Sequence, residues 1–292
     1  MMNKLVKALA FDDTIRISCM DASDLVSQAQ VKHDTWSSAT AALGRTLIGA
    51  ALMGADIKDD SRLSIKIHGD GPAGRIIAAA DGSGHVKGYI DTPHLSLPAN
   101  ADDKIDVAKT VGRNGQVTVS KDLGLKEPFV GQSPIISGEI AEDLTYYLTV
   151  SEQTPSAIGL GVLVGPDEKV INAGGWMIQV MPGASEETIK QIEAGVSAVA
   201  PVTELLDQGK SPEDIIALLL GTDDIKYLAE KQVGFQCDCS KERFAKGLAS
   251  LGKEEIASII QEDGQAETVC HFCNSKYHFD KEELENIYKK AK

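Results

Sequence analysis

No stretch of about twenty apolar residues occurs anywhere in the 292-residue chain, so no transmembrane helix is expected. Positive charge is also short: 29 Lys and Arg against 43 Asp and Glu give a net charge of −14. Such a surface repels phosphate backbones and argues against a nucleic-acid binder. Lys4 and Lys7 open the chain, but Asp12-Asp13 arrives before any signal-peptide core forms. A cytoplasmic protein is therefore expected, in a compartment where thiols stay reduced. Nucleotide loops are missing too. Gly69-Asp70-Gly71-Pro72-Ala73-Gly74 lacks the Lys-Ser/Thr ending of a P-loop and leads into an extended stretch. Gly159-Leu160-Gly161 is followed by no helix. An ATP-driven machine is disfavoured.

Cysteine is scarce as well, and its distribution is the most informative feature present. Of five cysteines, Cys19 stands alone on the alternating stretch Ile15-Ile17-Cys19, where a buried, inert thiol is expected. The other four form a CxC, Cys237-Asp238-Cys239, and a CxxC, Cys270-His271-Phe272-Cys273, thirty residues apart. Two such pairs can complete a tetrahedral sulfur site, so one zinc per reduced chain is expected on Cys237, Cys239, Cys270 and Cys273. His271 and His278 are lesser candidates, since four thiolates already close such a site.

The fold class expected is α+β. Hydrophobic alternation predicts strands on both sides of Asp12-Asp13, then over 63–67, 75–80, 85–90, 116–120, 158–164 and 170–180. Helices are expected from Asp21 or Ser23 to His33, over 37–55 and over 143–153, with a short helix or turn at 107–112. Residues 121–132 read as irregular and 135–140 as extended. Arg45, the one charge in an Ala- and Gly-rich helix, needs a partner. Mostly antiparallel sheets with helices thus make an N-terminal domain, 1–178.

Beyond it, 179–231 reads as a helical linker. Glu186–Ala200 and the stretch after Ser211-Pro212-Glu213-Asp214 carry helical spacing, but Gly195, Pro201, Gly209 and Gly221 divide them into pieces too short to stand alone. Ten acidic against four basic side chains over 179–236 make this stretch −6. Residues 232–292 form a small zinc-binding domain whose own core is marginal without metal.

The pattern C-D-C-S-K-E-R-F with V-C-H-F-C-N-S-K-Y-H-F resembles the redox-switched zinc domain of the bacterial thirty-three-kilodalton heat-shock chaperones. The resemblance extends upstream through A-A-L-G-R-T-L at 41–47, K-D-L-G-L-K-E-P at 121–128, S-E-Q-T-P-S at 151–156 and G-G-W-M-I-Q-V-M-P-G at 174–183. It implies a non-enzymatic holdase, independent of ATP and inactive while reduced and zinc-bound. Oxidation would form Cys237–Cys239 and Cys270–Cys273 disulfides, expel zinc and unfold the zinc domain and linker. The opened protein, as a homodimer, would bind unfolding client proteins. The competing expectation is a structural zinc ribbon that binds nucleic acid or a protein partner. With nine basic and eleven acidic residues over 237–292, no basic face supports it. A thiol-disulfide oxidoreductase ranks third, for want of a thioredoxin-like frame.

Overall fold

The computed structural model describes residues 3–228 and 230–291. The chain forms two compact units, Met1–Gln236 and Cys237–Lys292. The first unit contains the whole 179–231 segment.

In the first unit the chain begins with β1 (Asn3–Ala10) and β2 (Ile15–Asp21), joined by a turn in which Phe11, Asp12 and Asp13 all have positive φ. Helices α1 (Ser23–His33) and α2 (Ser37–Gly54) follow, then β3 (Arg62–His68), β4 (Arg75–Asp81) and β5 (His85–Ile90). Next come α3 (Val107–Val111), β6 (Gln116–Asp122), β7 (Phe129–Pro134), α4 (Ala141–Val150), β8 (Ser156–Val164) and β9 (Val170–Val180). Helices α5 (Glu186–Ala198), α6 (Val202–Asp207) and α7 (Pro212–Leu220) lead to β10 (Ile225–Tyr227) and β11 (Lys231–Phe235). The order β7-β6-β3-β4-β5-β11-β1-β2-β9-β8, with β10 on β1, makes one eleven-stranded sheet among the described residues. All its pairings are antiparallel except β11 with β5. The α+β class and the antiparallel sheet agree with the sequence reading.

Helix α2 is buried nearly all round, because its Ala and Gly side chains let sheet backbones approach closely. Its one charge, Arg45, donates from Nη1 to Glu139 Oε2 at 2.6 Å. Cys19 is fully buried and pairs with Trp176 across β2 and β9; burial pushes its thiol pKa up. Strand β2 buries Ser18 and Met20 as well as Ile15, Ile17 and Cys19, so both of its faces are covered.

Three local expectations are corrected. Residues 129–132, read as irregular, belong to the edge strand β7; Gly131 and Pro134 mask it in sequence, and Pro134 is tolerated at the edge. Residues 135–140, read as extended, are not a strand. The buried Asp143 carboxylate accepts N–H bonds from Ile136, Ser137, Gly138 and Ile140, folding the segment back and holding Ile140 at φ 60°. Neither Asp21 nor Ser23 caps α1. The cap residue is Ala22, while Asp21 Oδ1 accepts from the Ser23 N–H and hydroxyl.

Helices α5–α7 lie on the sheet. Ile215, Ile216, Leu219 and Leu220 are buried in one cluster with Ile15, Ile17, Trp176 and Ile178. Ser211 and Asp214 form a capping box around Pro212, and Gly221 closes α7 in the left-handed conformation. Close approach is built in. Added Cβ atoms at Gly161 and Gly174 would meet Val202 or Leu206 of α6 within 2.8 Å. From β1, Lys4 Nζ reaches Glu213 Oε1 at 2.5 Å and Glu230 Oε1 at 2.6 Å.

Strand β11 was not legible as a strand. Its first half pairs with β1 (Asn3↔Val233, Lys4↔Gln232, Leu5↔Lys231) and its second half with β5 (Gly234↔His85, Phe235↔Val86). It thereby joins two half-sheets.

Candidate metal centre

The second unit holds α8 (Lys241–Ala249), α9 (Lys253–Glu262), β12 (Ala266–Val269), β13 (Lys276–Phe279) and α10 (Lys281–Lys290). Its core is small: Ile256, Phe279, Leu284, Ile287 and Ala291, with Phe244, Leu248 and Ile259 packed at the edge. So little apolar burial leaves a unit of this size marginal on its own.

The CxC pair sits in the loop before α8. Ser240 caps that helix, its Oγ accepting from the Arg243 N–H. One turn later Arg243 Nη1 donates back to the Asp238 carbonyl at 3.0 Å and to Asp238 Oδ2 at 2.6 Å. The residue between the two thiols is therefore fixed from outside the loop. The CxxC pair forms the tip of the β12–β13 hairpin, whose last ladder pair is Val269↔Lys276. The Cys270 carbonyl accepts from the N–H groups of Cys273 (3.3 Å) and Asn274 (2.7 Å), and the Cys270 N–H donates to the Ser275 carbonyl. Asn274 has φ 55°, a left-handed turn that asparagine adopts readily. This knuckle turns both sulfurs to the same side.

The four Sγ atoms lie within 4.8 Å of one another, and among the described residues no other group of three or more Cys, His, Asp or Glu donors gathers in this way. Cys237 and Cys270 sulfurs are 3.7 Å apart, and those of Cys239 and Cys273 are 3.3 Å apart. A tetrahedral zinc with Zn–S bonds of about 2.3 Å spaces its sulfurs by about 3.8 Å, so the cage fits such an ion. Both of these close approaches run from the CxC pair to the CxxC pair. Cys270 and Cys273 are buried, Cys237 and Cys239 partly so.

The cage is not electrostatically uniform. Burial pushes the Cys237 and Cys270 thiols up. Burial also acts to raise Cys273, but hydrogen bonds from Ser275, Cys239 and Cys270 outweigh it and lower its pKa to about 7. The Ser275 hydroxyl is 3.2 Å from that sulfur. Tyr277 places its hydroxyl 3.1 Å from Cys239 Sγ, and this contact raises the tyrosine to about 12. Sequence reasoning overlooked Ser275, Tyr277 and Arg243. Their spacing of two, four and four residues from the nearest cysteine was the available signal. His278 points elsewhere, with Nε2 3.1 Å from Glu267, and neither it nor His271 joins the cluster.

A sheet-based α+β unit followed by a small unit with four gathered thiols defines a class that known proteins share. The family model described as Hsp33 protein matches residues 3–280. The chain is 56% identical to the 33 kDa chaperonin of Enterococcus faecalis over 97% of its own length and 95% of that protein's. It is 47% identical to the 33 kDa chaperonin of Halalkalibacterium halodurans, over 98% of this chain and 99% of that one. The crystal structure of the Thermotoga maritima 33 kDa chaperonin superposes with a TM-score of 0.91 at 36% identity, over 99% and 98% of the two chains. The chain belongs to the Hsp33 family.

Proposed function

We propose that this protein is a redox-regulated, ATP-independent holdase chaperone of the cytoplasm, and not an enzyme. In the reduced state Cys237, Cys239, Cys270 and Cys273 hold one zinc ion, which cross-links the CxC loop to the CxxC hairpin and stands in for the missing core. A peroxide oxidises one thiolate of a pair to the sulfenic acid. The neighbouring thiolate then attacks that sulfur, forming the disulfide and expelling hydroxide. Each disulfide takes two electrons from the pair and removes two donors from the cage. With Cys237–Cys239 and Cys270–Cys273 closed, the residues of the small unit lose the link that keeps them folded. The linker helices then detach, and the opened chains bind unfolding proteins as a homodimer.

The observation that carries this reading is the placement of the first thiol directly after β11, at the end of a segment whose helices cover Ile15, Ile17, Trp176 and Ile178. Unfolding there uncovers a contiguous apolar surface. The test measures aggregation of a heat-unfolding client, without ATP, beside reduced and peroxide-treated protein, with zinc release followed in the same samples. Suppression by the oxidised form alone supports the reading. Equal suppression by both forms would leave the cysteines a structural clip.

A further inference from the structure

Strand β11 occupies a slot between two strand edges, and the slot is suited to holding a short extended segment of other sequence. Its contacts fall into two kinds. One kind is made to backbone. The Gly234 N–H donates to the Gly84 carbonyl at 3.1 Å, and the Gln236 N–H to the Val86 carbonyl at 2.9 Å. Asn3 Nδ2 donates to the Val233 carbonyl at 3.2 Å. Gly84, at φ +91°, brings its chain so close that an added Cβ would strike the Gln232 carbonyl oxygen. These contacts read no side chain.

The other kind is made by alternate side chains on the covered face. Lys231 extends its ammonium to the carbonyl oxygens of Ala55 and Gly82. Val233 is 3% exposed and Phe235 is 8% exposed, the ring lying edge-on to His33 with centroids 6.2 Å apart and Lys32 Nζ at 6.0 Å. The outward position between them is permissive, because a Cβ on Gly234 would meet nothing within 4 Å. The slot thus accepts a cation, an aliphatic side chain and an aromatic ring at alternate positions of an extended chain, with free choice between.

β11 is also the one strand, among those described, that joins β5 to β1. Its departure leaves an unpaired edge on each, and unpaired edges recruit extended chain. We infer that β11 is a built-in stand-in for client, and that the slot it vacates binds client segments of the pattern basic–x–aliphatic–x–aromatic by strand replacement. The net charge of −14 favours a client segment that carries the cation. The inference rests on the release of the linker helices proposed above and extends that release to β11.

The experiment uses full-length protein, reduced or peroxide-treated, with zinc release and client protection measured on each sample. The probe is a fluorescent peptide of the sequence Glu230–Gln236. It is expected to bind the oxidised protein at least about tenfold more tightly than the reduced one. Replacing Val233→Asp and Phe235→Asp in the peptide should weaken binding by about tenfold or more, whereas Gly234→Gln should leave it within about twofold. Hydrogen exchange at Gly234 and Gln236 of the protein itself should quicken on oxidation. If oxidised protein has lost zinc and protects client, yet ignores the peptide or keeps those two amides protected, the slot is not the client site and the switch stands. If oxidised protein keeps its zinc or fails to protect client, the switch itself is refuted and the slot proposal with it.

Discussion

A Cβ on Gly195 would lie 2.1 Å from the carbonyl oxygen of Leu219. Helices α5 and α7 cross at that glycine, and no side chain fits between them. Gly195→Ala must push the two helices apart, at a cost of about 1–3 kcal/mol typical of overpacking. The expected result is a linker that opens under milder oxidation, with the metal site unchanged. Quenching of Trp176, which is nearly buried while Trp36 is already half exposed, reports that opening. Unchanged accessibility of Trp176 across an oxidant titration would count against it.

Removing any one cage thiol should abolish stoichiometric zinc binding, and the second unit should lose its fold. Structural zinc supplies on the order of 10 kcal/mol in small domains, comparable with a whole domain's net stability. His271→Ala and His278→Ala should each retain one zinc per reduced chain. Metal analysis together with circular dichroism of the four thiol and two histidine variants decides this, and a histidine variant without zinc would redraw the site.

The two pairs should not close at the same rate. A Cys237–Cys239 disulfide closes a ring one residue smaller than Cys270–Cys273, and strained disulfides form less readily. Arg243 adds to the delay by holding Asp238 through both its carbonyl and its carboxylate. Thiol trapping and mass spectrometry along an oxidation course should find Cys270–Cys273 first. Arg243→Ala should narrow the gap without changing zinc content. Early cross-pair disulfides, such as Cys239–Cys273, would mean that the short distances in the cage govern the order.

Acid should loosen α7 from β1. Burial acts to raise the Glu213 carboxyl, but hydrogen bonding to Lys4 prevails and holds it below its ordinary 4.5. A depressed carboxyl contributes stability that is present above 4.5 and lost as pH falls through the lower folded value. Lys4, raised by Glu213 and Glu230, contributes stability that is lost only as pH rises beyond 10.5. Glu213→Gln should therefore flatten the acid limb of linker stability and shrink the alkaline limb to what Glu230 alone supports, as measured by hydrogen exchange over 212–220.

The cysteine cage was legible because its chemistry is local: two short spacings brought four sulfurs together as expected. The strands with strict alternation were legible for the same reason, as in Leu63, Ile65 and Ile67 of β3, all fully buried. What escaped was set by distant partners. β11 is five residues long and takes its ladder from residues near positions 3–5 and 85–86, so nothing nearby marks it as a strand. The helical reading of 179–231 accordingly missed β10, and β12 went unread until β13 supplied its partner. At 135–140 a single buried carboxylate, Asp143, overrode an extended-looking sequence by accepting four backbone donors.

The last hydrogen bond that ties β11 to the sheet, from the Gln236 N–H to the Val86 carbonyl, is made by the residue immediately before Cys237. Gln236 alone separates the end of β11 from the first thiol. If the proposed switch operates, a change in the backbone at the first thiol needs to pass only one residue to reach the end of this strand, like a rip started at the last stitch of a seam. A few flexible residues inserted after Gln236 should leave the contacts within each unit intact and, on the proposed switch, delay the release of β11. On the proposed switch, shortness of the join matters more than the strength of any single contact.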